Sequence, residues 1–335
     1  MLEHGGQLVA AAHHYQIPIE RWIDLSTGIN PNGWPIPPIP VECWQRLPET
    51  GDGLLEAAQR YYQCPSILPV AGSQAAIQAL PQLLPPSVCG LLTPAYAEHA
   101  ANWNQAGHTL LALSPDTIEE RIDALDVLIL INPNNPTGCR FDRTQLLEWH
   151  RKLQSRNGWL IVDEAFIDST PESSLAPLLP QPGLIVLRSL GKFFGLAGAR
   201  CGFVLAEAAL LEALNERLGP WTISHPSRYV ATKALNDTDW QQQTRRALQQ
   251  QADRLALLLI RHGLKPDGQT DLFVWIKTDR AQAIHNHFAR QGVLTRLFTE
   301  PPSLRFGLPK DGSQWRRLES VLCSIQPIQD RQGES

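Results

Sequence analysis

The stretch "LIVLRSLGKFFGLAGARCGFVLAE", residues 184–207, sets two apolar runs, "LIVLRSL" (184–190) and "CGFVLAE" (201–207), on either side of one lysine, Lys192, framed by glycines. Runs of this length and composition read as buried strands. Glycine lets backbone approach a ligand closely, and lysine is a cation whose pKa falls readily on desolvation. A lysine on an ordinary strand-to-helix turn would look the same locally, so the surroundings decide.

Working outward, "VCGLLTP" (88–94), "VLILINP" (127–133) and "WLIVDEAF" (159–166) are further buried strands, and "RTQLLEWHRKLQSRNG" between two of them reads as a helix closed by Gly158. Strands alternating with amphipathic helices predict an α/β fold with a mostly parallel central sheet. Ligands in such sheets bind beyond the carboxyl ends of the strands, where this chain carries Tyr96, Asn134, Asn135, Asp163, Glu164, Ser189 and Lys192. The first forty residues, ending in "NPNGWPIPPIP", read as an extended arm over the surface. From Trp221 a long polar helix and two strands, "LFVWIK" and "SLRFGLP", form a smaller α+β unit. The expected division is a large domain at 46–220 and a small domain at 221–330 joined by the arm at 1–45.

With 335 residues, 43% hydrophobic and 19% charged, the chain has the composition of a globular protein, and disorder is excluded. A net charge of −4 and no run of basic residues argue against a nucleic-acid partner. No apolar stretch approaches the roughly 20 residues of a membrane span, and the start "MLEHGGQLVA" lacks signal-peptide character, so a cytoplasmic location is expected. Six scattered cysteines form no C-x-x-C pair, and His285 and His287, two apart on a helix, do not share a face; no disulfide or metal site is expected.

Asp163 ends the apolar run "LIVD", where a buried carboxylate requires a partner or caps a turn. "NPNNPTG" (132–138) fixes an asparagine amide through a rigid turn, which a structural Asx-turn would equally explain. "AGSQAAIQAL" puts Gly72, Ser73 and Gln74 at a helix start, a common cap and also a place for an anion. Ser189 and Arg200 flank the lysine as further phosphate donors. Each has a plain structural explanation. Together, a lysine amine, a carboxylate, an asparagine and a phosphate cradle at one sheet edge are what pyridoxal 5'-phosphate requires. A nucleotide-binding loop is excluded, because Gly191-Lys192 is followed by Phe193.

The order Gly-Ser-Gln, Tyr96, "NPNNPTG", "DEAF" and "SLGKFFGLAGAR" resembles the aspartate aminotransferase fold family (fold type I) of pyridoxal-phosphate enzymes, in its histidinol-phosphate aminotransferase branch, over nearly the whole chain. Within that branch "HGG" (4–6), "DLSTGINP" (24–31) and "VDEAFID" resemble the L-threonine O-3-phosphate decarboxylases of cobalamin biosynthesis. The resemblance implies Lys192 as the Schiff-base lysine, Asp163 as partner of the pyridine nitrogen, Tyr96 stacked on the ring and Asn135 on the phenolic oxygen. Gly72, Ser73, Gln74, Ser189 and Arg200 would hold the cofactor phosphate. Arg305 would take the substrate carboxylate, Arg296 and His4 the substrate phosphate, with Gly28, Asn30 and Asn135 completing the substrate site. A homodimer is implied as well.

Two positions depart from the aminotransferase pattern. Phe166 stands where a tyrosine is usual, and "RLP" (46–48) replaces Arg-Tyr-Pro, whose tyrosine reaches the neighbouring subunit's cofactor phosphate; Tyr61 and Tyr62 are candidate replacements. The implied reaction is decarboxylation of L-threonine O-3-phosphate to (R)-1-aminopropan-2-ol O-phosphate. The alternatives are a histidinol-phosphate or related aminotransferase and, more remotely, a non-catalytic binder of the cofactor.

Overall fold

Seven strands pair into one large sheet: β2 (Ile67–Val70), β3 (Val88–Leu92), β4 (Thr109–Leu113), β5 (Val127–Ile131), β6 (Trp159–Asp163), β7 (Leu184–Ser189) and β8 (Gly202–Leu205), in the order β2-β8-β7-β6-β5-β3-β4. Only β8 runs against the others, so the sheet is mostly parallel. The computed structural model describes residues 4–325; positions 1–3 of the expected arm and 326–330 of the expected small unit lie outside the described residues.

The unbroken apolar runs follow from burial on both faces. Along β5 to β7, Leu128, Leu130, Leu160, Val162, Leu184 and Val186 enter one core, while Val127, Ile129, Ile161, Ile185 and Leu187 enter the other. Alternate side chains point to opposite faces, so a strand covered by helices on both sides must be apolar at every position.

A second sheet has the order β1-β11-β12-β10-β9, built from β1 (Ile23–Leu25), β9 (Gly268–Thr270), β10 (Phe273–Lys277), β11 (Val293–Thr299) and β12 (Pro302–Gly307). Here β1 pairs in parallel with β11, and the remaining pairs are antiparallel. The beginning of the chain therefore supplies an edge strand to a sheet made at its end.

Two expectations need correction. The first forty residues are not simply a surface arm: they hold the helix Leu8–Tyr15 and β1, and Asn30 and Trp34 are buried. The helix Arg143–Gln154 is closed by Asn157, which takes the left-handed conformation (φ 58), while the Gly158 N–H returns to the Leu153 carbonyl at 2.9 Å. Gly158 matters for space, since a Cβ there would sit 2.7 Å from the Asp126 carbonyl oxygen. Among the described residues no helix is long and apolar enough to cross a membrane.

Candidate active site

Strands β3, β5, β6 and β7 run parallel, so the segments that follow them emerge at one edge. There a cavity of about 550 Å³ is lined by His4, Gly28, Tyr96, Asn135, Lys192, Arg296 and Arg305, with the β11–β12 turn, including Glu300, at its rim.

Lys192 follows β7, and its Nζ lies 5.5 Å from the centroid of the Phe166 ring. The amine has no hydrogen-bond partner among the described residues. Burial, reinforced by Arg305 and Arg200 and opposed by Asp163, pulls its pKa down to about 8. Its loop is clamped from the N-terminal segment: the Asn30 N–H donates to the Lys192 carbonyl at 3.0 Å, and Asn30 Nδ2 donates to the Phe193 carbonyl at 2.9 Å. Asn30 was expected to contact substrate. Its amide is instead spent on this clamp, because the buried carbonyls of the tight lysine loop need donors.

Asp163 ends β6 almost fully buried. One carboxylate oxygen accepts from the Ala165 N–H at 3.0 Å, and the other lies 3.1 Å from Nε2 of His99. His99 was missed from the sequence, although its position three residues after Tyr96, on the same helix face, is the signal that could have found it. Glu164 turns away from the cavity into a buried network with Arg188, Ser174 and, through Arg188, Asp168.

At the phosphate end, Gly72 has φ 72 and precedes the helix Ser73–Ala79. A Cβ at Gly72 would lie 2.7 Å from the Arg200 guanidinium, which packs against this glycine and donates to the Ala197 carbonyl at 3.2 Å. Arg200 itself takes the left-handed conformation, φ 49. Ser189 Oγ accepts from the Gly191 N–H at 3.2 Å. Gln74 differs from expectation: its side chain donates to Glu98 and accepts from the Tyr96 hydroxyl, leaving only its backbone N–H for an anion. The Tyr96 phenol is pushed up to about 12 by burial first and then by Glu98 and Asp163, so it remains a donor.

At the substrate end, Arg296 on β11 stands directly opposite Arg305 on β12. Arg305 donates to Asn135 Oδ1 and to the Ser26 carbonyl, while its buried Nε has no hydrogen-bond partner among the described residues. Burial, with Arg296 adding to it, lowers the Arg305 pKa to about 9. His4 Nε2 lies 2.9 Å from Glu98 Oε1 at the cavity mouth. Gly28 makes room for aromatic rings: a Cβ there would sit 2.8 Å from Phe166 and 3.0 Å from Phe273. Asn134, by contrast, is the structural amide of its turn, donating to the Pro94 carbonyl and to Thr137.

Tyr61 and Tyr62 do not face outward to replace the missing tyrosine. Tyr61 donates to Asp168 at 3.0 Å, and the Tyr62 ring lies 4.6 Å below the Arg188 guanidinium, both inside the chain's own core. Leu47 is exposed.

These residues fit pyridoxal 5'-phosphate on three counts: a desolvated amine without a hydrogen-bond partner among the described residues, a buried carboxylate oriented by two donors, and an arginine packed against the glycine that precedes a helix start. The chain is matched over residues 52–314 by the model of the aminotransferase class I and II family. The chain belongs to that aminotransferase family. Among its curated relatives, a threonine-phosphate decarboxylase of Pseudomonas aeruginosa is 54% identical over 97% of this chain and 98% of its own length. A second, from a Sinorhizobium species, is 38% identical over 96% of this chain and 98% of its own. The solved histidinol-phosphate aminotransferase of Sinorhizobium meliloti in complex with pyridoxal-5'-phosphate superposes with a TM-score of 0.77 at 19% identity, over 97% of this chain and 96% of that one. This last likeness is one of aminotransferase fold.

Proposed function

We propose that this member of the aminotransferase family decarboxylates L-threonine O-3-phosphate to (R)-1-aminopropan-2-ol O-phosphate with pyridoxal 5'-phosphate as cofactor, in the service of cobalamin synthesis. The observation that carries the reading is the cross-strand pair Arg296 and Arg305, which with His4 brings three cationic or cation-forming side chains to the cavity that holds Lys192. Like charges directly opposite on a sheet repel. A substrate bearing a carboxylate at one end and a phosphate at the other offsets that repulsion. The names of both curated relatives support the same reading.

When bound, the cofactor supplies an electron sink for the bond broken at the substrate's α-carbon. Lys192, whose pKa is lowered to about 8, would be the attachment residue. Asp163, oriented by His99 and the Ala165 N–H, would be the carboxylate that keeps the pyridine nitrogen protonated. Asn135, itself held by Arg305, would donate to the phenolic oxygen. The first amides of the helix Ser73–Ala79, with Ser189 and Arg200, would hold the cofactor phosphate. Arg305, whose Nε has no hydrogen-bond partner among the described residues, would take the substrate carboxylate, and Arg296 and His4 would take the substrate phosphate. Holding both ends would fix the orientation of the substrate's α-carbon, and so select loss of the carboxylate over loss of the α-proton.

We also read the chain as a cytoplasmic homodimer. Val41, Trp44 and Leu47 are exposed apolar side chains around the helix Glu42–Gln45, which packs on the helix His225–Asn236, and exposed Trp221 shortly precedes that second helix. Such a patch is typical of a covered surface.

The test is incubation of the cofactor-loaded protein with L-threonine O-3-phosphate. Release of carbon dioxide with formation of the amino alcohol phosphate supports the proposal. Rapid transamination between histidinol phosphate and 2-oxoglutarate without decarboxylation overturns it in favour of the aminotransferase alternative.

A further inference from the structure

A carboxylate is out of place beside a pocket for a dianion unless it is committed to other partners. Glu98, in the first turn of the helix Ala97–Gln105, is such a group. Its Oε1 lies 2.9 Å from His4 Nε2, and its Oε2 accepts from Gln74 Nε2 at 2.8 Å and from Asn102 Nδ2 at 3.2 Å. Gln74 Oε1 in turn accepts from the Tyr96 hydroxyl at 3.2 Å. Four side chains thus run in a continuous line from the cavity mouth to the Tyr96 ring in the cavity wall.

The N-terminal end of this line is anchored on the other sheet. The Gly6 N–H donates to Ser26 Oγ at 2.8 Å, and the Ser26 carbonyl accepts from Arg305 at 2.8 Å. Residues 4–6 therefore bridge the mouth between the strand bearing Arg305 and the helix bearing Glu98. The Glu98 side chain is 16% exposed and the His4 ring 43% exposed, so Glu98 is the fixed partner and His4 the one that is held. With Nε2 directed to Glu98, Nδ1 is the ring atom left for a ligand.

We propose that Glu98 is a positioning residue for the phosphate end of the substrate: it holds the His4 ring at the cavity mouth and, through Gln74, ties that ring to Tyr96. This rests on the decarboxylase reading and extends it to a residue that touches neither substrate nor cofactor. Its consequence is selectivity. A phosphorylated substrate meets a pre-set imidazole, whereas free threonine gains nothing from it.

The test is a double-mutant cycle on the full chain, using His4→Ala, Glu98→Gln and the pair, with Glu98→Ala as a more severe variant. Binding of O-phospho-L-threonine to the cofactor-free protein is measured by calorimetry, and KM and kcat are measured on the loaded enzyme. Each single variant is expected to weaken phosphothreonine binding on the order of tenfold to a hundredfold, the range of a charge-assisted hydrogen bond, and to raise KM more than it lowers kcat. The double variant is expected to lose no more than His4→Ala alone, and any interaction of L-threonine with the loaded enzyme is expected to be unchanged. Multiplicative losses in the double variant, or wild-type binding in Glu98→Gln and Glu98→Ala, overturn the role while leaving the functional reading intact. A wild-type protein that neither binds nor decarboxylates phosphothreonine overturns the functional reading, and this role with it.

Discussion

The His99 imidazole stands 3.1 Å from the Asp163 carboxylate, and both side chains are shut away from solvent, at 2% and 4% exposure. A buried carboxylate that loses a donor bears the desolvation cost uncompensated, roughly 1 to 3 kcal/mol or more. His99→Leu is therefore expected to lower the thermal midpoint of the cofactor-free protein and to weaken retention of pyridoxal phosphate, read by equilibrium dialysis. An unchanged midpoint together with unchanged retention would show that Asp163 does not depend on this ring.

Lys192 carries a pH signature. Its pKa is lowered from 10.5 to about 8, so the neutral amine dominates only above that value. Each pH unit below about 8 should reduce the neutral fraction, and with it the rate of covalent cofactor capture by the cofactor-free protein, roughly tenfold. Stability follows the same sign: the cost of burying the charged amine is present in full below about 8 and falls away as pH rises towards 10.5. Stopped-flow absorbance across pH 6 to 10 checks the rate. Lys192→Ala should abolish capture, and borohydride reduction that fixes the cofactor to another lysine would refute the assignment.

Arg296 and Arg305 predict a division of labour. Arg296→Ala should retain the cofactor yet cost about 1.5 to 3 kcal/mol in kcat/KM for threonine phosphate, tenfold to a hundredfold, with relatively more abortive transamination to pyridoxamine phosphate. Because Arg296 helps to lower the Arg305 pKa, its removal should also raise the pH at which Arg305 titrates. Undiminished decarboxylation in this variant would remove Arg296 from the phosphate site.

Asn30 tests the clamp on the lysine loop. Asn30→Ala leaves the Phe193 carbonyl without its side-chain donor. A loss of about 1 to 3 kcal/mol of stability is expected from an unpaired buried acceptor. Slower cofactor capture should accompany it, while the Km for phosphothreonine is expected to change less than the capture rate. A large rise in Km with normal stability would restore Asn30 to the substrate site.

Local chemistry was the part of this protein legible in its sequence. Continuous apolar runs announced strands buried on both faces, and Asn135, Asp163 and Lys192 stand at one edge because the parallel strands β5, β6 and β7 deliver them there, while Arg305 reaches the same cavity from β12 of the second sheet. Side chains whose partners lie far along the chain were harder to read. Asn30 looked like a substrate contact, since nothing in "GINP" reveals that the carbonyls of residues 192 and 193 claim its donors. Gln74 belonged by spacing to a phosphate cradle, yet its amide is taken by Glu98, 24 positions on. Strand β1 escaped notice because three residues are too few to display a period, and its pairing with β11 spans some 270 positions.

That pairing bears on how the protein comes into being. A chain leaves the ribosome from its first residue onward, and segments fold as their partners emerge. All strands of the large sheet are available once residue 205 has been made, whereas β1 waits for residues 293–295 before it has a neighbour. Throughout that interval the nascent chain exposes an unsatisfied strand beside the future mouth of the cavity, and such an edge invites pairing with another chain. A product truncated before β11 would therefore contain every strand of the large sheet but lack Arg296, Arg305 and the neighbour of β1. The two arginines proposed to hold the ends of the substrate are in this sense among the last parts of the site that translation completes.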